Sequence, residues 1–173
     1  MKLQRGLLLL CGIGLAAAAV ASTNRAYAAG QRDNNPDVIE VRHYKLSMDV
    51  AQKTAAAMQK LNQMVAADPS LNAALDASSG TTGKETLTQQ AQTIDSKYPQ
   101  LAAVIRANGM ATREFLVATG ALLNDLGWVG MKKQGMVQAY PPGMITPENA
   151  ALIEGNWDTF QALGAKMSPP SSR

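Results

Sequence analysis

A helix that is apolar around almost its whole circumference is the feature that most constrains this fold. Nine apolar residues point in nearly every direction around its axis: Phe115, Leu116, Val117, Ala118, Ala121, Leu122, Leu123, Leu126 and Val129. Such a helix must be covered by other helices, so it belongs in the middle of a bundle. We predict a central helix over about residues 112–129, capped by Thr112. We also expect bending or fraying near Gly127, because glycine is a poor helix former.

Apolar stripes at helical spacing predict the other helices, and polar residues mark where they begin. Ser47, Asp68 and Thr146 stand at expected N-cap positions, and another helix is predicted from about Thr86. Asn108-Gly109 is typical of a left-handed helix end, after which Met110 would contact Ile105. Residues 147–163 read as one last helix. Because no strand-like alternation of useful length appears, we predict an all-α fold, a single bundle of five or six helices over residues 46–167.

The first 28 residues have the order of a secretory signal peptide. Lys2 and Arg5 precede the apolar run Leu7–Val20, and Ala26-Tyr27-Ala28 is a small-residue cleavage signal. We therefore expect cleavage near Ala28/Ala29 and a periplasmic or secreted protein. Residues 29–45 read as a flexible polar leader and residues 168–173 as a disordered tail. No second apolar run is long enough for a membrane span.

Composition excludes several classes of function once the signal peptide is set aside. The whole chain has 16 basic and 13 acidic residues, and the signal peptide carries three of the basic ones, so the mature charges balance. Nucleic acid is therefore not an expected partner. Cys11, the sole cysteine, lies in the signal peptide, so no disulfide, thiolate metal site or cysteine nucleophile is expected. His43 is the single histidine, and we expect no resident cofactor.

Two segments resemble an uncharacterised family of exported bacterial α-helical proteins. The first has the pattern P-x-L…I…N-G-M-x-T-R-E-F, from Pro99 to Phe115, and leads into the very apolar helix. The second is Thr146-Pro147-Glu148-Asn149-Ala150 with the residues that follow it. The resemblance covers roughly residues 45–165 and implies export and a helical bundle, with no activity attached. The glycine-rich stretch from Gly127 to Gly135 departs from the pattern.

Polar residues on the central helix are candidate ligand-binding groups. Glu114 is either a carboxylate held in a pocket for acid–base work or a first-turn residue that offsets the helix dipole. In the second case, Arg113 tethers it to another helix. Asn124 and Asp125 interrupt the most apolar stretch. Buried polar groups need partners, so one of them is expected to bond another helix or line a cavity; alternatively, one faces water at the bundle edge.

Tyr140 is the fifth candidate, in the sequence Tyr140-Pro141-Pro142-Gly143. This sequence belongs to the least regular part of the chain, residues 132–145. A proline pair beside an aromatic residue is either a short recognition element over a pocket or a stiff connector.

Methionine and histidine supply the alternative function. Eight methionines follow the signal peptide, and thioethers are soft ligands for Cu(I). His43, Met58 and Met64 are the candidate ligands for copper or a b-type haem, although their spacing is loose and methionine also fills irregular cores. The leading hypothesis is an exported interaction or small-ligand-binding module without catalysis. Its expected partner is another envelope protein or a small apolar ligand. An enzyme is the third alternative, since no nucleophile–base pair is visible.

Overall fold

The computed structural model describes residues 35–79 and 85–168, and within these ranges every regular element is a helix. The elements are α1 (Pro36–His43), α2 (Met48–Ala67), α3 (Pro69–Ser79), α4 (Leu87–Lys97), α5 (Pro99–Ala107), α6 (Thr112–Lys133), α7 (Pro147–Gly155) and α8 (Trp157–Met167). The predicted all-α fold is confirmed. The predicted signal peptide lies outside the described residues, as do residues 169–173 of the predicted tail.

Helix α6 is the centre of the bundle. It packs against α1, α2, α4, α5, α7 and α8, while α2 pairs most extensively with α8. Its side chains from Phe115 to Leu122 are buried on every side of the helix. The helix extends further than predicted, to Lys133, and continues through Gly127 without fraying. An added Cβ at Gly127 would meet no atom within 4 Å.

The described residues form eight helices rather than five or six, and two local features account for the difference. The first is α1, which occupies part of the predicted flexible leader. Its Val38 and Val41 are buried, and Gly120 of α6 lets Val41 approach closely. The second is a break at Asn156, which divides the predicted last helix into α7 and α8. The prediction of a leader over residues 29–45 is therefore wrong for 36–43, because long-range packing stabilises that short helix.

Most helix starts follow the predicted local chemistry. Ser47 accepts a hydrogen bond from the Val50 amide, and Asp68 accepts from the amides of Ser70 and Leu71. Thr86 forms a reciprocal capping box with Gln89. Thr112 is an exception: Ala111 occupies the N-cap, and the Thr112 hydroxyl instead donates to Asp95 of α4 at 2.6 Å.

The connections after α5 and α6 begin with the same left-handed helix end. Gly109 has φ +78°, as the predicted left-handed helix end requires, and the backbone N–H of Met110 donates to the Ile105 carbonyl. Gly135 has φ +74° and performs the same function after α6. The chain then runs without a helix through residues 134–146, here called the α6–α7 loop.

Candidate functional site

The polar centre of the bundle is the side chain of Asp125. Because α6 is surrounded by other helices, a polar residue on it has little access to water, and Asp125 is 0% exposed. Its Oδ1 accepts a hydrogen bond from Asn124 Nδ2 at 2.8 Å, and its Oδ2 accepts from Asn149 Nδ2 of α7 at 2.7 Å. We call Asn124, Asp125 and Asn149 the amide–carboxylate cluster. The expectation that one of the two adjacent polar residues bonds another helix is confirmed by Asp125.

Each amide of the cluster also bonds the backbone of a loop. Asn124 Nδ2 donates to the Met144 carbonyl in the α6–α7 loop at 2.7 Å. Asn149 Nδ2 donates to the Tyr44 carbonyl between α1 and α2 at 2.8 Å, and its Oδ1 accepts from the Leu46 amide at 3.0 Å. The cluster thus attaches two irregular segments to the bundle.

The surroundings of Asp125 oppose its ionisation. Burial raises the pKa of Asp125 to about 6, although the hydrogen bonds from Asn124 and Asn149 favour the charged form and act in the opposite direction. The Asn149 amide cannot flip, because a flip would place its NH₂ group against the Leu46 N–H, which is also a donor. Its Nδ2 therefore stays within hydrogen-bonding distance of Asp125 Oδ2. At neutral pH the cluster therefore holds a buried negative charge.

A second set of contacts attaches the α6–α7 loop to the bundle. The Tyr140 hydroxyl donates to Glu154 Oε1 of α7 at 2.5 Å, and Lys132 Nζ lies 2.8 Å from the same oxygen. Lys132 is also 4.6 Å from the centre of the Tyr140 ring. Hydrogen bonds from Lys132 and Tyr140 lower the pKa of Glu154, while burial and the nearby Glu154 carboxylate raise the pKa of Tyr140. The structure thus places Tyr140 in an anchor of the loop.

Arg113 and Glu114 lie at the opposite end of α6 from the cluster, about 16 Å along the helix axis. Arg113 forms a two-pronged ion pair with Glu40 of α1, at 2.7 and 2.5 Å, and its Nε donates to Thr88 at 3.0 Å. Glu114 is exposed and accepts from the Tyr44 hydroxyl at 3.4 Å. Of the five predicted site residues, the structure therefore brings only Asn124 and Asp125 together in one cluster.

The proposed metal or haem ligands lie in different surroundings. His43 is exposed at the end of α1, Met58 is buried in the core, and Met64 is half-buried. Because Met58 and Met64 are six positions apart on α2, they point about 120° away from each other around its axis. No group of three or more histidine, cysteine, aspartate or glutamate side chains in the described ranges is arranged to hold a metal ion.

Asn149 is the cluster residue that sequence reasoning did not select as a site. Its backbone N–H donates to the Thr146 hydroxyl, so the position resembles an ordinary first-turn residue of α7. The available signal was its place next to Ala150 and four residues before Ile153, on the face of α7 that is buried. An amide on a buried face needs polar partners, which makes it a candidate for a network.

The fold and the cluster together define an all-helical domain built around a buried carboxylate with two amide partners. Comparisons with protein-family models, with curated proteins and with solved structures found no match to this chain. No helix in the described ranges has both the length and the apolar character needed to cross a membrane.

Proposed function

We propose that this protein is an exported, non-catalytic module that binds a small ligand at the amide–carboxylate cluster, beneath the α6–α7 loop. The observation that carries the proposal is Asp125, a carboxylate with 0% exposure whose hydrogen-bond partners are both neutral amides. Burying such a group is costly, and polar groups that could recognise a ligand are often held in this way.

The α6–α7 loop supplies a route to the cluster. Its contacts with the bundle include two polar anchors, one from Asn124 to the Met144 carbonyl and one from Tyr140 to Glu154. The first anchor bonds the loop directly to a residue of the cluster, so displacement of the loop there would free the Asn124 amide. Long irregular connections of this kind often act as lids over binding sites.

Binding fits the chemistry of the cluster better than catalysis does. Acid–base catalysis commonly pairs a titrating group with a second group that holds or moves a proton. Asp125 instead faces two amides, which orient a ligand by hydrogen bonding and do not titrate. The signal-peptide pattern of residues 1–28 supports export.

A native mass spectrum of the mature protein, isolated from its own host compartment, tests both parts of the proposal. We expect a chain that starts near Ala29 and carries an added mass that is lost on denaturation. The same protein refolded from denaturant without cell extract is the control and should lack that mass. A bare chain would contradict ligand binding and favour another envelope protein as the partner. A chain that retains residues 1–28 would contradict export by cleavage.

A further inference from the structure

Asp125 is the only ionisable side chain among the fully buried residues that the structure describes. Lys132, two turns further along α6, is paired with Glu154. The hydrogen-bond partners of the Asp125 carboxylate, Asn124 and Asn149, are neutral amides and bring no positive charge to it. A buried charge without an opposite charge is unfavourable, so a cation brought by a ligand would bind strongly to this group.

The geometry around Asn124 shows where such a cation would lie. Asn124 Nδ2 is 2.8 Å from Asp125 Oδ1 and 2.7 Å from the Met144 carbonyl oxygen. This position already places one nitrogen atom at hydrogen-bonding distance from both oxygens. An ammonium nitrogen prefers the same distances and adds a positive charge and a third donor.

We infer that the ligand is a small organic cation whose primary ammonium group takes the place of the Asn124 amide between Asp125 and the Met144 carbonyl. This inference rests on the proposed function of the cluster as a ligand site. The segment between α1 and α2 is harder to displace than the α6–α7 loop, because Asn149 bonds it twice, at the Tyr44 carbonyl and at the Leu46 backbone N–H. The ligand therefore enters from the side of the α6–α7 loop.

Affinity for the cation should rise with pH, because a proton and an ammonium group compete for the same carboxylate. The pKa of Asp125, raised by burial to about 6, places this competition between pH 5 and 7. Three titratable side chains of the adjoining segments have partners other than Asp125: the Tyr44 hydroxyl bonds Glu114, and Tyr140 and Lys132 both contact Glu154.

Side-chain amide NMR signals of Asn124 and Asn149, recorded on the mature full-length protein, provide the test. The probe is n-butylammonium, with n-butanol as a neutral control of the same shape and butyrate as an anionic one. We expect n-butylammonium alone to shift the Asn124 signal and the backbone signals of residues 140–146. Its affinity should fall about tenfold from pH 7.5 to pH 5, as the carboxylate is protonated. The variant D125N should lose the response.

Several results would overturn the inference. An equal response to n-butanol would indicate an apolar ligand, and an unchanged response in D125N would indicate binding elsewhere. If D125N does not fold, a wild-type response that is independent of pH would likewise indicate binding elsewhere.

The mass that the native protein carries from its host distinguishes a failure of this inference from a failure of the proposed function. A neutral or anionic ligand that shifts the cluster signals would leave the proposed function standing and exclude the cation. A bare native chain without any probe response would remove both.

Discussion

At the scale of single residues, Asp125 combines two opposing effects. Two amide donors favour its charged form, while complete burial favours the neutral one, and burial is the larger effect on its pKa. A carboxyl group that binds its proton more tightly in the folded state than in the unfolded chain makes stability depend on pH. The sign of this dependence is opposite to that of a carboxylate in a salt bridge.

The contribution of Asp125 to stability should decrease as the pH rises from about 4 to about 6. Its native pKa of about 6 lies above the ordinary value of 3.8, so the folded state holds the extra proton in that window. Across this window the free energy of unfolding should fall by roughly 3 kcal/mol. Urea denaturation of the wild type and of D125N, which cannot titrate, measures the difference. A carboxyl ¹³C titration of Asp125 with a midpoint near 4 would contradict the prediction.

Gly120 and Gly127 provide a matched pair of glycines within α6. An added Cβ at Gly127 meets nothing within 4 Å, whereas one at Gly120 lies 3.2 Å from both methyl groups of Val41. We expect G127A to raise the free energy of unfolding by up to about 1 kcal/mol, the helix-propensity gain. G120A should gain clearly less or lose stability, because α1 must move. Equal gains in urea denaturation would show that α1 does not press on Gly120.

At the scale of helices, most starts could be predicted because the groups that begin a helix lie within three residues of each other. Ser47, Asp68, Thr86 and Thr146 each bond amides in their own first turn. The position of Thr112 could not be predicted in this way. Its hydroxyl bonds Asp95, seventeen residues earlier, and a tertiary contact of this kind leaves no local signal.

The methionines that follow the two left-handed helix ends should contribute differently to the free energy of unfolding. Met110 and Met136 follow Gly109 and Gly135 at the same position of the motif, but Met110 is 4% exposed and Met136 is 68% exposed. We expect M110A to lower the free energy of unfolding by about 2–5 kcal/mol through lost burial and the cavity left behind. M136A should change it by less than about 0.5 kcal/mol. Thermal or urea unfolding of both variants is the measurement, and similar losses would contradict the burial argument.

At the scale of the whole molecule, Asn149 joins more separate parts of the chain than its neighbours do. One amide contacts α6, the Tyr44 carbonyl and the Leu46 amide, and these partners are between 24 and 105 residues away in the sequence. Its bonds hold the segment between α1 and α2 against α7.

Replacing Asn149 with alanine should therefore be strongly destabilising. N149A leaves Asp125 Oδ2, the Tyr44 carbonyl and the Leu46 amide without this partner, which should cost about 3 kcal/mol in the free energy of unfolding. Asn156 at the other end of α7 is the control, because it is exposed and its side chain donates to the Leu152 carbonyl one turn earlier. N156A should cost less than about 1 kcal/mol. Comparable losses in urea denaturation would contradict a joining role for Asn149.

The sequence by itself determined the helical class, the central position of α6 and most helix ends. Apolar periodicity and capping are short-range properties, so each can be read within a few turns of the chain. The buried position of Asp125 was partly foreseeable, because a polar residue in a helix that is apolar on all sides needs a partner.

Only the tertiary structure decided which residues meet. Helix α1 is too short to be stable alone, and it depends on the Arg113–Glu40 ion pair and on the close contact of Val41 with Gly120. The cluster likewise depends on Asn149, whose bonds to Asp125 and to Tyr44 form only when α7 is packed on α6. These interactions join residues far apart in the sequence, and no local pattern of side chains specifies which distant partner a polar group will find.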